Sequence, residues 1–461
     1  MSTLVTIAAG CGTRAPRAEP ASQPFPADIA HDGGAAGDEA RPPGPLTPGS
    51  TIEHILSTGQ SNAVGFAATP PLSMQQSYGN LMFDRGVMTA ADCDDKGCKT
   101  YEKPARFAAL VEGDTYSAAD KLETMSSAMA NEVSKLRGIV AGSTPANPLL
   151  VSVHGKSGNT YWCLRKTGCD YLSGYLKPFA EGMMQVADAK AFAAAAGVHH
   201  VVRAVTAIHG ESDHDDRQFP LDRTDGTPGQ IASYAEALIE WQRDYETSIR
   251  AVTGQSEPVP LLISQMANWN DTAHSEIPSR QLDAHVRAAG KVVVIGPTYQ
   301  LPYAPDCIHF TNDGERQLGE YFAKAYQHVV SGGVWEPVRP KQVTAAGNVV
   351  TVRFFVPKPP LVLDTTRVSD PGSFGFEVAD AAGAAVAITK VALAGPDAVT
   401  ITLDAVVTTG ARVRYASTAR PQTCPGPQTG PRGNLRDSDA SASNNGYALF
   451  NWGVQFDAAV E

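Results

Sequence analysis

Three residues in this chain have the types that nucleophilic acyl transfer requires: Ser61, Asp306 and His309. Ester hydrolysis by serine needs a hydroxyl nucleophile, a base beside it, a group that orients the base, and donors for the developing oxyanion. Ser61 stands in Thr58-Gly59-Gln60-Ser61-Asn62-Ala63, where Gly59 allows a tight turn. Asp306 and His309 are separated by two residues, so the carboxylate can hold one ring nitrogen while the other faces a hydroxyl. Alone, each has a plainer reading. Ser and Asn are common helix caps, and Asp-x-x-His can be a capped helix start with a solvated imidazole. The elements around them decide between these readings.

Residues 52–56, Ile-Glu-His-Ile-Leu, read as a buried strand running into the Ser61 turn. Further continuous apolar runs at 148–154, 200–208, 259–265 and 292–296 predict four more strands. Between them lie helical periods at 121–138, 172–196, 229–253, 278–289 and 312–330. Buried strands alternating with helices imply an α/β fold, a three-layer α/β/α domain around a five-stranded parallel sheet. Ser61 follows the first strand, a Gly-rich loop from Gly155 to Gly158 the second, His209-Gly-Glu-Ser-Asp213 the third, and Asp306 and His309 the fifth. Such a sheet brings these strand ends to one rim, where open α/β sheets carry their chemistry. Residues 64–120 read as loop. From about residue 340 the texture changes to short alternating segments near 341–356, 373–379, 385–393, 397–403 and 411–416, with a last strand over 447–456. This reads as a β-sandwich-like domain.

A chain of 461 residues is expected to hold two or three domains. The boundaries read from the sequence are a lipoprotein signal at 1–11, a disordered linker at 12–50, the α/β domain at 51–335 and the β-rich domain at 340–461. A net charge of −11 argues against nucleic acid or an anionic membrane surface as the main partner. No stretch approaches the roughly 20 apolar residues of a spanning helix. Leu4 to Cys11 is a short apolar run ending in small residues before a cysteine, and it resembles the lipobox of bacterial lipoproteins, which would make Cys11 the lipidation site. A lipid anchor would then be the sole membrane contact of an exported or cell-surface protein. Setting Cys11 aside leaves six of the seven cysteines. Cys93 with Cys98 and Cys163 with Cys169 can close small loops, and Cys307 with Cys424 can form a long-range third pair. Six cysteines allow 15 connectivities, so the pairing is an expectation.

The blocks Gly59-Gln60-Ser61-Asn62, the Gly-rich loop after the second strand, His209-Gly210-Glu211-Ser212-Asp213 and Asp306-x-x-His309 resemble the four blocks of the SGNH hydrolase superfamily. The closer resemblance is to its sialate O-acetylesterase-like branch, including carbohydrate esterase family six, and covers roughly residues 52–330. It implies an esterase acting on acetyl esters of carbohydrate, with Ser61 as nucleophile, His309 as base and Asp306 as its partner. It further implies an oxyanion hole from the Ser61 N–H and a glycine N–H of the second block, Gly155 or Gly158, with Gly155 nearer the strand end. The family's third oxyanion donor is a glutamine side chain. Here that position is His209, which can substitute if it presents an N–H. Gln60, Asn62, Asn159 and Glu211 fall beside these blocks and are expected to support the site or the substrate.

No cofactor and no metal is expected. Asp213-His214-Asp215-Asp216 reads as a solvated loop, since no matching ligand set appears elsewhere in the sequence. Trp162 and Trp269 fall in loops of the rim and can line a pocket or pack. Two other readings stay open, a non-catalytic glycan-binding surface lipoprotein and a lipase or esterase of different acyl specificity.

Overall fold

The computed structural model describes residues 46–94, 97–113, 121–143, 145–169, 173–215, 219–269, 271–419 and 423–461. The lipidation reading at Cys11 and the linker up to residue 45 lie outside the described residues, as does the side chain of Cys93.

The five expected strands form the centre of the molecule. In chain order they are β1 (Thr51–Gly59), β4 (Leu149–Val153), β5 (His199–Ile208), β6 (Leu261–Gln265) and β7 (Val292–Pro297), with two shorter strands, β2 (Leu81–Phe83) and β3 (Phe107–Ala109), preceding β4. The sheet order is β7-β6-β5-β1-β4-β2-β3. Neighbours from β7 through β4 are all parallel, β2 continues parallel to β4, and β3 closes the edge antiparallel to β2. The two short strands correct the expectation of loop throughout 64–120. Three residues are too few to print a period, and these strands are specified by the sheet edge they extend.

Alternate residues of each strand pack into different layers, as a pleat requires. Ile55 and Ala204 face one core with Met129 and Val133 of α1 (Met125–Leu136) and Phe322 and Tyr326 of α6 (Asn312–Val330). Leu56 and Val205 face the other, with Val186 of α2 (Pro178–Ala195), Trp241 and Tyr245 of α4 (Tyr234–Thr253) and Ala284 of α5 (Ile277–Arg287). A single-turn helix, α3 (Glu211–Asp215), follows β5 directly.

After α6 the chain builds two antiparallel four-stranded sheets. Strands β8 (Arg339–Ala346), β9 (Val349–Phe355), β10 (Phe376–Ala379), β11 (Ala385–Val386), β12 (Ile388–Leu393), β13 (Ala398–Leu403), β14 (Arg412–Tyr415) and β15 (Phe456–Ala459) pair as β8-β9-β13-β12 and β11-β10-β14-β15. The expected strand over 447–456 starts only at Phe456, because residues 447–455 are used to bind the α/β layers. The Tyr299 hydroxyl donates to the Gly453 carbonyl at 2.7 Å, and the Gln265 side chain bonds both the N–H and the carbonyl of Gln455, at 2.7 and 2.9 Å. One hydrophobic core runs from Phe322 and Tyr326 through Val338, Val350, Val399, Trp452 and Phe456. The change near residue 340 is therefore a change of topology and not a break in packing, and Ala40–Glu461 forms one compact unit. No helix among the described residues is long and apolar enough to cross a membrane.

Candidate active site

Strand β1 ends on Gly59 at φ +134°, where a Cβ would sit 2.1 Å from the Ile208 carbonyl of β5. Only glycine allows that approach. The Gln60 N–H donates to the same carbonyl at 3.2 Å, and the chain then enters one 3-10 turn, Ser61–Val64. Ser61 is the first residue of this turn and is 7% exposed. No side chain caps the turn, and the Ser61 N–H has no acceptor among the described residues. Gly155, in the loop after β4, packs against it: a Cβ there would come 3.0 Å from the Gly59 carbonyl and 3.3 Å from the Ala63 Cβ. The Gly155 N–H likewise has no acceptor among the described residues, while its neighbours are tied down by His154 N–H to Ser57 O at 2.9 Å and Lys156 N–H to Gly59 O at 2.8 Å. Gly158, the other glycine of this loop, has nothing within 4 Å of its Cβ position.

Asp306 holds His309 through both carboxylate oxygens. Oδ2 accepts from the His309 Nδ1 at 2.7 Å, and Oδ1 accepts the backbone N–H groups of Ile308 and His309, each at 3.0 Å. The turn needs Cys307 at φ +67°. The capping and orienting readings of Asp-x-x-His are thus both met by one carboxylate, while the cap of α6 itself is Thr311, whose side chain accepts from the Gly314 N–H. Burial pushes the Asp306 carboxyl up, but the N–H donors of His309 and Ile308 and the nearby imidazole outweigh it and hold the group below its ordinary value. An ionised Asp306 is an acceptor, so Nδ1 carries the ring proton and Nε2 is the nitrogen left for another partner.

The two halves of the site are joined by asparagines. Asn62, fully buried beside Ser61, accepts the Phe310 N–H on Oδ1 at 3.2 Å. Its Nδ2 donates to Glu211 Oε1 at 2.9 Å and faces the Ile308 carbonyl at 3.4 Å. Asn268, in the loop after β6, repeats this from the opposite side, donating to Glu211 Oε1 at 2.9 Å and to Ile308 O at 2.7 Å. Glu211 at the start of α3 is therefore the common post for both amides. The Phe66 N–H donates to Ser61 O at 3.0 Å, and the Phe66 ring lies 4.6 Å from the His309 ring while staying 47% exposed. Asn268 and Phe66 escape a reading of the sequence. The signal for Asn268 was its place just past a strand end, at the one rim position where no motif stood out.

His209 departs from expectation. Its ring is buried, with Nε2 3.0 Å from the Asn159 carbonyl and Nδ1 2.7 Å from the Tyr234 hydroxyl. Burial pulls the imidazole down to about 4, against the raising effect of the Asn159 hydrogen bond, so the ring is neutral at pH 7. A carbonyl can only accept, so Nε2 carries the single proton and Nδ1 accepts from Tyr234. No N–H remains for an oxyanion, and the ring instead anchors the backbone of the Gly155–Asn159 loop. Asn159 is itself buried, its Nδ2 donating to Ser157 O at 2.7 Å. Gln60 turns behind the serine, where its Oε1 accepts the Ser212 N–H at 3.0 Å.

The cysteines pair as Cys163–Cys169 and Cys307–Cys424. Cys98 is also disulfide-bonded, and the backbone of Cys93 lies opposite it in a two-stranded ribbon. Cys307–Cys424 ties the residue between Asp306 and His309 to the C-terminal β region. Trp162 packs on the Cys163–Cys169 pair, and Trp269 is buried in the core beside α4.

No protein-family model and no curated protein matches this sequence. Among solved structures the chain is similar to a carbohydrate acetylesterase from Xanthomonas citri, at 17% identity and a TM-score of 0.52, over 88% of this chain and 80% of that one. Weaker likenesses are to NanS, at 11% identity and TM-score 0.37 over 61% of this chain and 98% of that one, and to Est24, a carbohydrate acetylesterase from Sinorhizobium meliloti, at 11% identity and TM-score 0.30 over 59% and 97%. The likeness to the Xanthomonas citri protein is one of fold, a mostly parallel α/β sheet, and here the segments that follow the strands of that sheet carry Ser61, Gly155, His209 and Asp306–His309.

Proposed function

We propose that this protein is a serine esterase that removes acetyl groups from carbohydrate. The observation that carries the reading is the linked geometry of the two halves: Asp306 holds Nδ1 of His309 at 2.7 Å, and the residue after Ser61 bonds the residue after His309 at 3.2 Å. In this reading Ser61 Oγ attacks the acetyl carbonyl and its proton passes to His309 Nε2. The ionised Asp306 stabilises the imidazolium that forms. The N–H groups of Ser61 and Gly155, both without another acceptor among the described residues, receive the oxyanion. Collapse expels the sugar hydroxyl, which takes the proton back from His309. Water then repeats the sequence on the acetyl-enzyme and releases acetate.

Hydrolysis of p-nitrophenyl acetate tests this directly. Ser61→Ala and His309→Ala are each expected to lose about 10³-fold or more in kcat, and Asp306→Asn less than either, since it removes orientation and not a reacting group. A Ser61→Ala protein with undiminished turnover would remove the mechanism. Esters of increasing acyl length then separate an acetyl pocket, which rejects long chains, from a general esterase or lipase.

A second reading has one observation in its favour. His209 offers no N–H, and one missing oxyanion donor costs about 2.7–4 kcal/mol in transition-state stabilisation. A protein of this fold could then hold glycan without cleaving it. Binding of acetylated glycan by a protein with no turnover under any condition would favour it. Export, with or without a lipid on Cys11, belongs to the proposal as well, and the cystines at 163–169 and 307–424 support an oxidising compartment.

A further inference from the structure

Beside the candidate active site the fold assembles a set of ligands that the sequence leaves apart. His214 and Asp215 end the single turn of α3, which begins at Glu211. Asp271 lies in the loop after β6, just past Asn268 and Trp269. A ligand atom from each of His214, Asp215 and Asp271 lies within 4.8 Å of the other two, and His214 Nε2 stands 2.8 Å from Asp271 Oδ1. The sequence reads Asp213–Asp216 as a solvated loop because no matching ligand set appears elsewhere in it, and the fold supplies Asp271 as a partner from 57 residues away.

We infer that His214, Asp215 and Asp271 form a binding site for a divalent transition cation of the zinc kind. Two carboxylates share this corner, and among the described residues neither forms an ion pair with a lysine or arginine; the nitrogen base beside them is the His214 imidazole. An added cation relieves that repulsion. The imidazole selects against calcium and magnesium, which prefer an all-oxygen shell, and in favour of zinc. Donor atoms around a tetrahedral zinc stand roughly 3.4 Å apart, given bond lengths near 2.1 Å, so side-chain adjustments well below the reach of the present spacing complete the set. Binding places the metal on His214 Nε2 with the ring's single proton carried on Nδ1, so a neutral ring moves its proton from Nε2 to Nδ1 and an imidazolium gives one proton to solvent. The Asp271 side chain is 56% exposed, which leaves the outer positions to water. Trp269, buried with its ring centroid 6.4 Å from that of His214, walls the inner side. The ion would tie α3 to the β6 loop, the two segments already joined by the Asn268 amide, which donates to Glu211 and to the Ile308 carbonyl beside His309.

Calorimetric titration of tag-free protein with zinc chloride and with calcium chloride tests the site without reference to turnover. One equivalent of zinc is expected, with calcium at least 10-fold weaker, and zinc should raise Tm. His214→Ala and Asp271→Asn should each weaken zinc at least 10-fold and abolish the Tm shift. The conservative change at the exposed Asp271 keeps the test sound if the alanine at buried His214 impairs folding. Ser61→Ala and His199→Ala should bind zinc as the wild type does, which separates this site from the esterase reading and from adventitious surface histidines. No stoichiometric zinc binding, or binding that survives both ligand substitutions, overturns the assignment.

Discussion

Asn62 Oδ1 accepts the Phe310 N–H at 3.2 Å, so the residue that follows Ser61 grips the residue that follows His309 across a sequence gap of 248. Asn62→Ala removes this bond and one of the two amides on Glu211, leaving buried polar groups unpaired at a cost of about 1–3 kcal/mol. The His309 loop would then sit less accurately against the serine. A misplacement near 1 Å costs about 10²-fold, so kcat on p-nitrophenyl acetate should fall about 10- to 100-fold with KM little changed. Asn268→Ala should cost less, because Asn62 still holds both Ile308 and Phe310. The double variant should lose more than the sum of the two, as expected for residues sharing one partner. Wild-type kcat in Asn62→Ala would show that the loop is held by other means.

His209 gives a pH signature to stability. Its folded value is depressed to about 4 from an ordinary 6.5, with burial as the cause. A depressed value means the contribution is complete above 6.5, where both states are neutral, and is lost as pH falls from 6.5 through 4, where the unfolded chain protonates first. The difference of about 2.5 units corresponds to roughly 3 kcal/mol. Against His209→Gln, which cannot titrate, the wild type should therefore lose about 3 kcal/mol of relative stability between pH 7 and pH 4 in urea unfolding. A difference that does not vary with pH would mean that the ring is not buried in its neutral form.

The Cys307–Cys424 bridge closes a separation of 117 residues, for which the chain-entropy account gives about 4–5 kcal/mol. It also pins the turn between Asp306 and His309 to the β region. Cys424→Ser should lower Tm and reduce kcat several-fold. The loss in kcat should be smaller than in Asn62→Ala, since the asparagine grip and the Asp306–His309 bond both remain. Peptide mapping without reductant should find the two cysteines in one linked fragment, and kcat unchanged after the substitution would show that the bridge serves stability alone.

How much of this could be read from the sequence follows from where each signal resides. The five long strands are continuous apolar runs because both faces are covered, and α6 begins at Asn312 as its period indicates. The Ser61 and Asp306–His309 segments are local motifs, so their types and spacing carry the information. His209 is different. Its place in the sequence block resembles that of an oxyanion donor, yet its direction is set by Tyr234 and the Asn159 carbonyl, one of them 50 residues away. Asn268 has no motif at all, and its role comes from Glu211, 57 positions earlier. Strands β2 and β3 are too short to show a period. What was not legible is in each case a long-range partner that no local pattern specifies.

Phe66 stands at the mouth of the site, one side of its ring against His309 at 4.6 Å and nearly half of the residue open to solvent. An exposed aromatic face can receive the apolar face of a sugar, and if that contact is worth what an aromatic pair is, it contributes about 0.5–1.5 kcal/mol. Phe66→Ala should leave stability within about 0.5 kcal/mol, as for most exposed positions. It should raise KM for an acetylated sugar by about 2- to 10-fold, the factors that about 0.5 and 1.4 kcal/mol give, with kcat held within about 3-fold. Phe66→Trp should restore KM. On p-nitrophenyl acetate, which lacks a sugar, the alanine variant should show a smaller change in KM. If kcat falls on both substrates as far as KM rises, the ring orients His309 and does not receive the sugar, and the platform role fails.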